Sequence, residues 1–61
     1  MDKKYGLIHN DPKTGIFLQC WIDVGAAKQV RWTKDITVAQ RSRDNLSGLY
    51  PQYTYSVIQK A

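Results

Sequence analysis

Sixty-one residues carry nine Lys and Arg against five acidic residues, a formal net charge of +4 at pH 7, and 43% hydrophobic content that includes two Trp, four Tyr and one Phe. A chain of this length hides only about 60% of its unfolded surface and reaches roughly 3–5 kcal/mol of net stability, which excludes a second domain and a deep catalytic cavity. The hydrophobic content is far from the signature of disorder, so the chain is expected to fold. Cys20 is the lone cysteine, which excludes an intramolecular disulfide.

A secreted domain this small normally needs such a staple, so a reducing cytoplasm is the expected location. Met1–Lys4 is not followed by the apolar run of an export signal, and no stretch approaches the roughly 18 apolar residues of a membrane span, so no membrane partner is expected. The basic residues are spread along the chain in blocks of two at most, which makes the charge a weak pointer to polyanions.

Residues 3–9 alternate as a short strand, and Asn10-Asp11-Pro12-Lys13-Thr14-Gly15 reads as a turn in which Pro12 presets its own φ and Gly15 supplies a positive one. Ile16 to Val24 alternates strictly, with Ile16, Leu18, Cys20, Ile22 and Val24 on one face and Phe17, Gln19, Trp21 and Asp23 on the other, the pattern of a second strand. Gly25-Ala26-Ala27 interrupts it, and Gln29-Val30-Arg31-Trp32 reads as a third strand of an antiparallel meander.

Beyond Thr33, Ile36, Ala39, Leu46, Leu49 and Tyr50 fall near a 3.6-residue period with polar residues between them, predicting one amphipathic helix. Thr33, Asp35 or Thr37 would cap a long helix, whereas Ser42 followed by Asp44 would cap a short one over 43–50. Pro51 ends it in either case. Tyr53 to Gln59, rich in aromatic and β-branched residues, predicts a final strand. The expected fold is one α+β domain over residues 1–61, β-β-β-α-β, an antiparallel sheet of three to four strands with one helix covering the face that holds Leu18, Cys20 and Ile22. Strand one or strand four then offers a free edge at which a homodimer would form.

No chemistry assembles from this inventory. With His9 paired near Ile16, Tyr5 stands opposite Cys20, and His9 lies about 13 Å from Cys20 at strand rise, too far for a shared metal or a nucleophile–base pair. Asp11 suits a turn, and Asp35 and Asp44 suit helix caps or first turns, so paired carboxylates are not expected. The glycines are isolated and make no phosphate loop. The expectation is a non-catalytic protein without metal or cofactor.

Two features point to binding. Phe17 and Trp21, four residues apart on one strand, share a face that Tyr53 or Tyr55 would extend, and exposed aromatics of this size are enriched in protein interfaces. Lys28, Arg31, Lys34, Arg41 and Arg43 bracket the third strand and the helix, the arrangement of a sheet-based nucleic-acid binder if the aromatics lie on the same side. The candidate partner-binding residues are therefore Phe17, Trp21, Arg31, Trp32, Arg41 and Arg43.

The layout of hairpin, Trp32-Thr33-x-Asp35, Ala39, short helix and terminal strand resembles small bacteriophage-encoded β-β-(β)-α-β proteins. The resemblance implies a protein that binds and inhibits, or redirects, a host protein or defence complex in the bacterial cytoplasm. Proteins of this kind also include nucleic-acid binders, which keeps a small basic nucleic-acid-binding protein as the alternative.

Overall fold

The computed structural model describes residues 3–60. The alternating run before the turn forms β1 (Lys4–Asn10) and the run after it forms β2 (Phe17–Cys20) and β3 (Ile22–Gly25). They are followed by β4 (Lys28–Val30), α1 (Ile36–Leu49) and β5 (Thr54–Lys60). The antiparallel α+β class with one helix between strands is as the sequence predicts. The expected long strand over Ile16–Val24 is divided at Trp21, so the strands form two sheets, a three-stranded one in the order β2-β1-β5 and the two-stranded pair β3-β4.

The first turn is built by its own side chains. The Asp11 carboxylate accepts from the backbone N–H of Lys13 at 2.9 Å, and its carbonyl accepts from the N–H of Gly15 at 2.7 Å, where φ is +72°. Asp11 N–H donates to the Ile16 carbonyl at 3.0 Å, which sets Asn10 against Phe17, His9 against Leu18 and Leu7 against Cys20. This register lies two residues from the expected pairing of His9 with Ile16. A two-residue shift leaves every side chain on its predicted face but changes which ones are neighbours.

β1 is the central strand, not the free edge expected for strand one. It pairs with β5 from Lys4↔Lys60 through Leu7↔Val57 to Asn10↔Thr54. Leu7, at its middle, is fully buried, and at about 1.5–3 kcal/mol for a leucine removed from water it anchors the core with Ile22 and Ala39. Tyr5, Cys20, Val30, Val38, Leu46, Tyr55 and Val57 pack around these three.

After Cys20 the chain leaves the sheet, makes the β3–β4 hairpin and returns at Thr33, which exchanges two backbone hydrogen bonds with Tyr5 at 2.7 and 2.9 Å. The corner is clamped by Arg31, whose Nη1 donates to the Gln19 carbonyl at 2.9 Å, while Gln19 Nε2 donates to the Arg31 carbonyl at 3.2 Å.

Of the possible helix starts, Asp35 is the one used. Its carboxylate accepts from the Thr37 N–H at 2.9 Å and the Thr37 hydroxyl at 2.6 Å, and these bonds hold the carboxyl below its ordinary pKa. Asp44 stands in the middle of the helix and pairs with Arg43 at 3.2 Å instead of serving as a cap. Ala39 and Ser42 face the core, and Tyr50 N–H closes the last turn on the Leu46 carbonyl at 2.8 Å before Pro51 ends it. Leu49 and Tyr50, expected on the covered stripe, are exposed.

Candidate functional site

The two-sheet arrangement opens a groove between α1 and the β3–β4 hairpin. Two adjoining depressions of about 290 Å³ each share Asp23, Ser42 and Asn45. One end is polar, with Arg41 facing Val24 and Gly25; the other is apolar, with Trp21 and Gln29 facing Leu46 and Leu49. Trp21 is held in place from outside, since the Arg31 guanidinium lies over its ring at 4.2 Å, and that guanidinium is itself fixed on the Gln19 carbonyl. The apolar end is open to solvent: Leu49 is 70% exposed and Trp21 51%.

The candidate residues from the sequence separate into three places. Trp21, Arg31 and Arg41 belong to the groove. Phe17 does not share its face. Because Leu7 and Cys20 point to the helix, alternation puts Phe17 on the opposite side of the three-stranded sheet, whereas the break at Trp21 turns that side chain toward Leu46 and Leu49. Phe17 is instead the middle of an exposed apolar run on the outer strand, Ile16-Phe17-Leu18, each more than half exposed.

Trp32 packs on the far face of the sheet against Gly6, with the Lys60 ammonium 4.1 Å from its ring centre. It covers the part of that face over Gly6 and leaves Phe17 exposed. Arg43 is half-buried beside Asp44. Sequence reasoning placed Leu49 on the helix but among its core residues. A signal was available in its position at the end of the helix, two residues before Pro51.

The tyrosines expected to extend the aromatic face gather elsewhere. Tyr53 and Tyr55 surround His9, with ring centres 5.1 and 5.7 Å from the imidazole. His9 Nδ1 lies 3.0 Å from Cys20 Sγ, which overturns the 13 Å separation inferred from the wrong register. The two are diagonal neighbours across β1 and β2. Burial pushes the Cys20 thiol above its ordinary pKa, opposed in part by Arg31, and the Tyr55 hydroxyl is raised by the same desolvation. A nucleophilic cysteine needs the opposite shift. The thiol and the imidazole lie within hydrogen-bonding distance of each other inside the packed cluster. Among the described residues no three His, Cys, Asp or Glu side chains converge as metal ligands, and no helix is long and apolar enough to cross a membrane.

No protein-family model, no curated protein and no solved structure matches this chain.

Proposed function

We propose that this chain is a non-catalytic protein-binding module, an inhibitor or modulator of phage type that engages a host protein or protein complex in the bacterial cytoplasm. The observation that carries the binding reading is Trp21, half-exposed beside Leu46 and Leu49 and pinned by Arg31. Trp and Arg dominate the energetic centres of protein interfaces, and a ring fixed before binding loses less rotamer freedom on contact. The polar end of the groove, with Asp23, Arg41 and Asn45, supplies hydrogen-bonding groups that orient a partner. The phage-type part of the proposal rests on the layout that the sequence shares with such proteins.

The alternative, a small nucleic-acid-binding protein, has less support. Arg31 is engaged by the Gln19 carbonyl and Trp21, Arg43 by Asp44, and Lys60 by Trp32. Of the two aromatics that would stack bases, Phe17 stands on the sheet face away from the helix that carries Arg41 and Arg43, while Trp21 lies on the helix side, so the pair does not form one stacking platform.

The test is affinity capture from bacterial lysate by the tagged chain, with and without nuclease, repeated with Trp21→Ala and Leu49→Gln. A discrete protein that survives nuclease, bound by the wild type and weakened by about 2 kcal/mol in Trp21→Ala, is the expected outcome, with far-UV circular dichroism unchanged in both variants. Equal capture by all three proteins would remove the groove from the interface. Retention of nucleic acid alone would establish the alternative.

A further inference from the structure

We infer that β5 is a self-pairing edge and that two copies of the chain join through it into one continuous sheet. The argument starts from which backbone groups point where. Tyr5 exchanges both of its backbone hydrogen bonds with Thr33 on the β2 side of β1. By the alternation of an antiparallel ladder, Leu7 and His9 also point that way, and Gly6, Ile8 and Asn10 point to β5. Their partners Ile58, Ser56 and Thr54 are thereby satisfied, which leaves the N–H and C=O groups of Tyr55, Val57 and Gln59 directed outward along an edge that no other strand among the described residues covers.

The two edges of this sheet are treated differently. β2 is four residues long, and its outward Gln19 carbonyl is plugged by the Arg31 guanidinium. β5 is seven residues long and has none of the devices that keep natural edges apart: no proline, no bulge, and no charge from Thr54 to Gln59. The single charge on the strand, Lys60, is drawn away over the Trp32 ring at 4.1 Å.

The occupant that fits is a second copy, because the strand is complementary to itself. A twofold axis at Val57 pairs Val57 with the partner's Val57 and Tyr55 with the partner's Gln59, so every outward backbone group finds a partner and no like charges meet. The axis stands perpendicular to the sheet, so both helices remain on the same face, and Val57, already packed on the core, continues that apolar layer into the second copy. A chain with only Leu7, Ile22 and Ala39 as fully buried hydrophobics among its described residues gains from such an extension. The surface is distinct from the groove between α1 and the hairpin, so the two readings fail independently.

The experiment is sedimentation equilibrium of the purified full chain across the micromolar range, with amide hydrogen exchange followed residue by residue. The expected result is twice the chain mass, with the amides of Tyr55, Val57 and Gln59 protected as strongly as those of Ser56 and Ile58. Gln59→Pro removes one outward N–H without touching the ladder to β1, and it should weaken dimerisation at least tenfold while Ser56 and Ile58 stay protected. A monomer at every concentration overturns the inference. A dimer whose Tyr55, Val57 and Gln59 amides exchange freely overturns it equally, by placing the contact elsewhere. The exchange pattern of the wild type decides the matter even if the proline variant fails to fold.

Discussion

The indole of Trp32 fills the space that a side chain at position 6 would need: a Cβ built on Gly6 would lie 2.9 Å from Cζ3 of the ring and 3.2 Å from Gln19 Nε2. Glycine at the centre of a sheet ordinarily weakens it. Here it lets a tryptophan lie on the backbone of the central strand, with Lys60 over the ring.

Gly6→Ala therefore forces the Trp32 ring off the backbone of the central strand. The expected cost is about 1–3 kcal/mol, the range for overpacking a fitted site. Chemical denaturation checks it, together with a red shift in tryptophan emission as the ring becomes wetter. Gly48→Ala is the control, since nothing lies within 4 Å of a Cβ there and the helix gains a better former.

The β3–β4 hairpin turns on Ala26 and Ala27, at φ of +53° and +58°. Both residues sit in the left-handed region, where a side chain is strained and where Asn-Gly is the favoured pair for this two-residue turn. Ala26→Asn combined with Ala27→Gly should stabilise the fold by about 1 kcal/mol, a rise of roughly 4–8 °C in Tm for a domain of this size. Calorimetry measures it, and an unchanged or lower Tm would show that the hairpin contributes little to the cooperative unit.

Cys20 should alkylate more slowly than a free cysteine at neutral pH, because burial raises its thiol pKa and depletes the thiolate. The sign for stability follows. A folded-state pKa above the unfolded one means the folded chain holds the proton more tightly, so stability from this group is full below the ordinary thiol pKa and falls as pH rises through the raised value. Labelling with iodoacetamide from pH 7 to 10 tests the first statement. Denaturation over the same range tests the second, and Cys20→Ala should flatten the alkaline limb.

Much of this protein was legible before any coordinates. The Asp11–Gly15 turn, the strand runs on either side of it and the stop at Pro51 are local features, decided by φ preferences and by side chains that bond to backbone two residues away, whereas Asp35 was one of four possible caps until the structure selected it. The α+β class followed from the periodicities alone.

What only the tertiary structure decided depends on pairing between distant segments. Whether Tyr5 or Leu7 faces Cys20 turns on a two-residue difference in register that leaves the hydrophobic pattern unchanged, so no alternation reveals it, yet it determines that His9 touches Cys20. The break at Trp21 was hidden for the same reason. Ile22 and Val24 continue the alternation of Leu18 and Cys20 in sequence, while Arg31 and Thr33 bring the chain back to β2 and β1 and force the corner. That corner, and not the periodicity of the strand, turns Trp21 toward the helix and makes the groove.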